Sequence, residues 1–279
     1  MNRKKKASNS SVFILLTVLA VIFLIPIIIV LINSFKSRFY ISSAPFKLPD
    51  SETFVGFENY VNGLASSGFL QAFGRSLFIT VASVAVIVVC TSMTAWYIVR
   101  TKSKFSKLMY VLFLFSMIVP FQMVMYTMTF VVNKINFDNL PGIVFVYLGF
   151  GAGLSVFMLS GFVKSIPLEI EEAAIIDGCN PLQTFFLVVF PILKPTAITV
   201  AILNAMWIWN DYLLPYLILG TDDKTIPVAI QIAMQGAYGA TDYGGFMAML
   251  VLAVIPIIVF YISAQKYIIK GVVAGAVKG

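Results

Sequence analysis

Side chains that could do acid–base or metal chemistry are few in this sequence and unevenly placed. The chain has 12 Asp and Glu residues and no His among its 279 residues. Without His it lacks the side chain that most often serves as a general base and as a metal ligand near neutral pH. Four carboxylates cluster at Glu169, Glu171, Glu172 and Asp177, seven lie in segments predicted as loops, and only Asp211 lies in a long apolar run. This distribution argues against a membrane-embedded enzyme and against a metal site.

The sequence also lacks the phosphate-binding pattern of an ATPase. No G-x-x-x-x-G-K-[ST] stretch occurs, so any ATP would be hydrolysed by another protein. The net charge of +7 comes without a basic groove interleaved with aromatics, so we expect no nucleic-acid partner. Of the two cysteines, Cys90 is predicted to lie in a membrane span and Cys179 in a loop, so a structural disulfide is not expected.

The clustered carboxylates lie in segment 165–195, which carries the start and stop signals of two helices. Ser165 is a candidate N-cap, with Pro167 in the first turn. Gly178 is predicted to end this first helix, because glycine readily adopts the left-handed conformation found just past a helix end. Asn180-Pro181 then predicts the start of a second helix after a sharp turn.

A helical projection of the first predicted helix separates two faces. Ile170, Ala173 and Ala174 share one face, and the glutamates spread over the opposite arc. The two small alanines would permit the close approach of a neighbouring element. Apolar residues on both sides are consistent with a helix held between its own bundle and a partner.

The rest of the chain is typical of a polytopic membrane protein. It is 60% hydrophobic and 11% charged, with a mean hydropathy of +0.96, whereas soluble domains carry about 25% charge. Apolar stretches long enough to cross a bilayer predict six transmembrane helices at about 12–32, 77–99, 108–132, 140–163, 196–219 and 246–269. Internal prolines at Pro26, Pro120, Pro215 and Pro256 predict kinks in these helices.

Lysine and arginine predict the orientation. With the N-terminus inside, 13 of the 19 basic residues fall on the inner side, including all four of segment 100–107, which has no acid. Both termini are then cytoplasmic, and segment 165–195 is cytoplasmic as well.

Segment 165–195 resembles the EAA loop of ABC-transporter permease subunits. The matching residues are Glu172-Ala173-Ala174, Asp177-Gly178, Val188 or Val189, Pro191 and Pro195. The resemblance implies a coupling helix that docks in a groove of a separate ATPase subunit. The residues it assigns to ATPase coupling are Glu169, Glu172, Ala173, Ala174, Asp177, Gly178 and Pro191.

Three further stretches resemble the permease subunits of sugar importers, and the last of the three resembles the second permease subunit of maltose-type carbohydrate importers. They are Trp207-x-Trp209-Asn210-Asp211-Tyr212-Leu213-Leu214-Pro215, Phe57-Glu58-Asn59-Tyr60 and the glycine-rich tail 270–279. Tyr212 departs from the more usual phenylalanine of the first stretch. Asn210 and Asp211 are candidates for the translocation path or gate, and Lys278 and Gly279 for a C-terminal contact with the ATPase.

The resemblance implies a type I ABC importer fold and a set of partners. These are a sister permease forming a heterodimer, two ATPase subunits that bind ATP and Mg2+, an extracytoplasmic solute-binding protein, and a sugar, here an oligosaccharide. The expected organisation is a cytoplasmic N-terminus with the first span (1–35), an extracytoplasmic loop (36–69), a five-helix core (70–269) and a cytoplasmic tail (270–279). No cofactor is expected in this chain itself.

Other interpretations of these patterns remain open at this point. Segment 165–195 could be a generic amphipathic loop, and Trp207, Trp209 and Tyr212 could form an interfacial aromatic belt. Asn210 and Asp211 could be a polar pair that packs helices. The solute could be an amino acid or a polyol. A secondary transporter would need a coupling-ion site at membrane depth, for which Asp211 is the one candidate.

Overall fold

The structure, a computed structural model, describes residues 2–235 and 242–276, with side chains described for 12–232, 234 and 242–267. Over these residues the regular structure is helical, apart from one β-bridge between Lys36 and Phe54. The elements are α1 (Asn2–Asn33), α2 (Arg38–Ser43), α3 (Glu58–Ser67), α4 (Phe69–Thr101), α5 (Lys104–Ile118), α6 (Phe121–Lys134), α7 (Leu140–Val163), α8 (Leu168–Ile176), α9 (Pro181–Gln183), the π-helix π1 (Thr184–Val189), α10 (Phe190–Asn210), α11 (Leu213–Leu219), α12 (Ile226–Gln235) and α13 (Tyr243–Ala276).

Five helical segments of the described chain are long and apolar enough to cross a membrane, or six if one bent pair counts as a span. The bent pair is α5 and α6, which meet at 108° where a single span at 108–132 was expected. Pro120 lies at the break, where a proline cannot continue the hydrogen-bond ladder. The expected span at 196–219 is also displaced: the helical segment runs over Pro181–Asn210, and α11 follows as a separate short helix.

Contacts divide the chain into two compact units. The first comprises Met1–Leu70 and Ala229–Pro256. In it, the Asn59 amide donates to the carbonyls of Ser34 (2.9 Å) and Lys36 (2.8 Å), so α3 is tied to the residues that follow α1. Nearby, the carboxylate of Asp50 accepts hydrogen bonds from Lys47 and Thr53. These bonds, the one from Lys47 most of all, hold the pKa of Asp50 below its usual range.

The second unit comprises Gln71–Val228 and Ile257–Gly279, and α7 is the most buried of its spans. Glycines on α7 permit close packing. A Cβ at Gly151 would lie 2.7 Å from both Asn204 Oδ1 and Ile87 Cδ1, and one at Gly153 would lie 2.7 Å from Met117 Cγ. These two glycines therefore let α4, α5 and α10 approach α7.

A buried apolar cluster lies at one end of this unit. Its fully buried members are Val163, Ile166, Phe185, Val189 and Leu193, with Met93, Trp96 and Val99 of α4 packed against them. The Trp96 and Phe185 rings have centroids 5.5 Å apart. The cluster joins the end of α7, the entry to α8, π1 and the end of α4, so it forms the base on which α8 lies.

Candidate functional site

Helix α8 begins at Leu168, and its N-cap lies two residues after the expected cap at Ser165. Its N-cap is Pro167, in an extended conformation at φ −57° and ψ 137°, with no side-chain capping bond. The expected cap by Ser165 is wrong, because the Ser165 hydroxyl donates instead to the Phe162 carbonyl at 2.7 Å. Ile166 is buried in the apolar cluster. It also directly precedes Pro167, and a proline disfavours the helical conformation in the residue before it. Both effects keep Ile166 out of the helix.

The end of α8 has the geometry predicted for a glycine-terminated helix. Gly178 has φ +88°, its N–H donates to the Ile175 carbonyl, and the Cys179 N–H donates to the Ala174 carbonyl, each at 3.0 Å. These two bonds define a Schellman motif. Nothing lies within 4 Å of a Cβ placed at Gly178, so the requirement for glycine comes from the backbone alone.

The second helix begins at once, as predicted from Asn180-Pro181. Asn180 Oδ1 accepts from the Gln183 N–H, and Gln183 Oε1 accepts from the Asn180 N–H, each at 2.9 Å. This reciprocal capping box satisfies two otherwise unpaired donors. The helix then widens into π1 immediately before Phe190-Pro191, where the proline lacks the N–H that a regular α-helix would use.

Glu171 is the buried carboxylate of α8, and sequence reasoning did not assign it a site role. Its Oε1 accepts from Arg100 Nε (2.9 Å) and Nη2 (2.7 Å), and its Oε2 accepts from Trp96 Nε1 (2.8 Å). The same Arg100 Nη2 also donates to the Ile166 carbonyl at 2.9 Å. Trp96 and Arg100 are one helical turn apart on α4, but Arg100 is 71 positions from Glu171 in the sequence, so no local signal indicates the contact.

Only part of the apolar face predicted for α8 packs against its own chain. Of the expected trio, Ala174 is buried, whereas Ile170 and Ala173 are exposed. The inward face is instead formed by Glu171 and Ala174, because the charge of Glu171 finds partners on α4.

The outward face of the loop is apolar at its centre and acidic around it. Ile176 is 85% exposed, Ile175 is 61% exposed and Leu182, across the turn, is 59% exposed. The other loop carboxylates, at Glu169, Glu172 and Asp177, are exposed as well. Exposed apolar patches with a polar border are typical of protein–protein contact surfaces. Ile176 and Leu182 therefore join the candidate docking residues that the sequence motif supplied.

Asp211 lies at a break between α10 and α11. Its Oδ1 accepts from the N–H groups of Leu213 (3.1 Å) and Leu214 (3.4 Å), and its Oδ2 accepts from the Tyr147 hydroxyl (3.1 Å). It thus caps α11 and binds α7. Asn210 is exposed, and its amide donates to the Met206 carbonyl of its own helix, so the structure does not join the two residues into one polar pair.

The aromatic residues next to Asp211 pack within the same unit. Trp207 contacts Tyr147 edge-on at 5.4 Å, and Trp209 contacts Phe73 edge-on at 5.8 Å. Lys278 and Gly279, the expected C-terminal contacts, lie outside the described residues. Pro191 is exposed and lies two residues after the end of π1.

Known proteins resemble the chain along nearly its whole length. The model of the family described as "Binding-protein-dependent transport system inner membrane component" matches residues 87–273. The "Probable starch degradation products transport system permease protein AmyC" of Thermoanaerobacterium thermosulfurigenes is 38% identical over 94% of both chains. The "Multiple sugar-binding transport system permease protein MsmG" of Streptococcus mutans is 36% identical over 100% of both chains.

A solved structure shares the fold at lower identity. A chain in the crystal structure of a bacterial alginate ABC transporter, in complex with its alginate pentasaccharide-bound periplasmic protein, has a TM-score of 0.64 at 15% identity. The match covers 94% of this chain and 95% of that one. At this identity the likeness bears on the fold alone.

Proposed function

We propose that this chain, which belongs to the family of binding-protein-dependent transport system inner membrane components, is the permease subunit through which an ABC importer takes up a carbohydrate. The family and the type I importer fold are those expected from the sequence. The observation that carries the choice of solute is full-length similarity to relatives named for starch degradation products and multiple sugars. An oligosaccharide fits the first name, and a non-sugar solute is the alternative.

We further propose that α8 couples this permease to an ATPase subunit. The support is the exposed surface of α8 and of α9 after the turn: Ile175, Ile176 and Leu182 are available to fill a groove, and Glu172 of α8 is exposed for a basic residue of the partner. ATP and Mg2+ would bind in two such ATPase subunits, since this chain has no P-loop. The N-terminus, the C-terminus and α8 would then share the cytoplasmic side.

We also propose a sister permease and an extracytoplasmic binding protein as partners. The apolar side chains of α1 are exposed along most of the helix, as expected for contact with lipid or a sister permease. An extracytoplasmic binding protein would deliver the sugar to the side opposite α8. The segment between α1 and α3 would lie on that side.

The contacts of Asp211 weigh against a secondary transporter. A coupling-ion site needs carboxylate oxygens available to the ion. Both Asp211 oxygens instead accept hydrogen bonds that hold α11 and α7 in place. We propose that Asp211 fixes the geometry of the helix break and does not bind a transported cation.

Uptake into proteoliposomes tests the proposed function. The chain would be co-purified with its sister permease and ATPase, reconstituted with ATP inside, and given the binding protein with labelled maltooligosaccharides outside. We expect uptake that requires internal ATP, resists proton and sodium ionophores, and is not competed by amino acids. Uptake driven by an ion gradient without ATP would contradict the proposal, and competition by amino acids or polyols would contradict the assignment of a sugar.

A further inference from the structure

The contact between α4 and α8 is the most buried ion pair in the described part of the chain. The Glu171 side chain is 5% exposed and that of Arg100 is 20% exposed, whereas both partners of the other two pairs are at least 25% exposed. The carboxylate accepts three hydrogen bonds from α4, and the guanidinium also binds the Ile166 carbonyl at the entry to α8. One arginine therefore holds α8 at a side chain and at the backbone that precedes it.

These hydrogen bonds restrict the motion of α8 relative to α4 more than apolar packing alone would. Apolar contacts are non-directional and survive small sliding or tilting motions. Charge-assisted hydrogen bonds to both carboxylate oxygens depend on direction. Rotating α8 about its axis, or tilting it away from α4, would leave a buried charge without its partner, which is strongly unfavourable. A force on α8 would consequently be passed to the end of α4.

The ion pair is not the only contact that holds α8 against the rest of its unit. Helix α8 also packs on π1, Ala174 is buried, and Ile166 belongs to the apolar cluster. These contacts remain if the ion pair is replaced by apolar side chains. Replacing both partners of a buried ion pair by apolar residues is often neutral or stabilising, whereas removing one partner is destabilising.

We infer that Trp96, Arg100 and Glu171 form a rigid link that makes α4 move together with α8. The inference rests on the proposed coupling role of α8 and adds to it: the EAA-like residues would engage the ATPase, and Glu171 would pass that motion into the membrane bundle. These three residues are positioning residues, which touch neither the solute nor the nucleotide. Loss of the link should uncouple ATP hydrolysis from import.

The test compares import per ATP hydrolysed in the reconstituted complex. Glu171→Leu removes one partner, and the double variant Arg100→Met/Glu171→Leu removes the charge from both sides. We expect the double variant to regain part of the thermal stability lost in Glu171→Leu, because only the unpaired charge is removed and Trp96 Nε1 still lacks its acceptor. It should keep its ATPase subunits. Its sugar import per ATP should nevertheless fall about tenfold, within the usual range of coupling between sites.

A matched control removes the ion pair at the other end of α4. Arg75 and Asp223 are joined at 2.7 Å, and Arg75→Met/Asp223→Leu removes that pair without touching α8. Its import per ATP should stay within about twofold of wild type, below the fivefold that marks typical coupling.

Each outcome has a defined meaning. A double variant with wild-type import per ATP would show that the pair only packs the helix, and would overturn the link. A double variant that loses its ATPase subunits would do the same, since the pair would then serve docking. A wild-type complex without ATP-dependent import would overturn the proposed function and this inference with it, whereas a working wild type with an unchanged ratio in the double variant overturns the inference alone.

Discussion

Tyr147 of α7 donates a hydrogen bond of 3.1 Å to the Asp211 carboxylate at the break between α10 and α11. The bond connects the most buried span of its unit to a point where the helical backbone is interrupted. Asp211 also accepts from the first N–H groups of α11, so one side chain fixes both the start of a helix and its neighbour.

Substitutions at Asp211 should separate hydrogen bonding from charge. Asp211→Leu removes a helix cap and leaves the buried Tyr147 hydroxyl without its acceptor. Each of these losses should lower the free energy of unfolding by about 1–2 kcal/mol. Asp211→Asn keeps one oxygen acceptor and should lose less than half as much. Thermal unfolding of the purified complex and sugar uptake would both be measured. Equal, near-normal behaviour of the two variants would show that the Tyr147–Asp211 bond contributes nothing to the fold.

Tyr147→Phe isolates the other side of this contact. It removes only the hydroxyl and preserves the ring that packs edge-on against Trp207. The loss of one hydrogen bond should destabilise the complex by about 1 kcal/mol. Combined with Asp211→Leu, it should add almost nothing, because the acceptor is already gone. Additive losses in the double variant would indicate that the two side chains act independently.

Single cysteines should establish the orientation, which is so far a prediction from lysine and arginine. In a background lacking Cys90 and Cys179, cysteines at Lys47 and Asp222 should react with an impermeant maleimide applied from outside, whereas one at Lys104 should not. All three positions are exposed, so accessibility within the chain does not limit the reaction. A permeant maleimide should label all three and serves as the control. Outside labelling at Lys104 with protection at Asp222 would reverse the assignment.

The features of the site that sequence predicted correctly are local ones. Gly178 and the Asn180-Pro181 start depend on backbone conformations and caps that involve residues within a few positions of one another. The Ser165 cap failed although it is local, because Ile166 is held by the apolar cluster and by Arg100. A tertiary contact there overrides the preference of the isolated segment.

The features that sequence missed depend on long-range contacts. Glu171 and Arg100 are separated by 71 positions, so nothing near Glu171 distinguishes it from the neighbouring Glu169 and Glu172. Pro120 signals an interruption, but the 108° angle between α5 and α6 depends on their packing against other helices. Hydropathy likewise detects an apolar run without detecting that α10 stops at Asn210, where Asp211 binds Tyr147.

Charge placed on the outward face of α8 should remove the ATPase. Ile176 is 85% exposed, so Ile176→Asp should leave the fold of this chain intact and abolish an apolar contact with the partner. A central residue of such a contact typically contributes about 2 kcal/mol or more to binding. Subunit stoichiometry after detergent purification is the measurement. Phe46→Asp is the matched control, since Phe46 is 78% exposed in the segment between α1 and α3. Equal retention of the ATPase in both variants would exclude Ile176 from the interface.

Substitutions of Gly178 should be tolerated according to how readily the new residue adopts a positive φ, and not according to its size. Its φ of +88° is rarely adopted by β-branched residues, whereas no atom lies within 4 Å of a Cβ at this position. Gly178→Val should therefore strain the turn by about 1–2 kcal/mol, and Gly178→Asn should cost much less because asparagine adopts left-handed conformations more readily. The strain is too small to prevent membrane insertion, but it is relieved if α8 changes direction relative to α9.

We expect Gly178→Val to pair with its sister permease and either lose ATPase subunits or hydrolyse ATP without importing sugar, while Gly178→Asn stays close to wild type. Subunit stoichiometry and sugar uptake would be measured in the same preparation. Normal values of both in Gly178→Val would contradict the coupling role proposed for this turn.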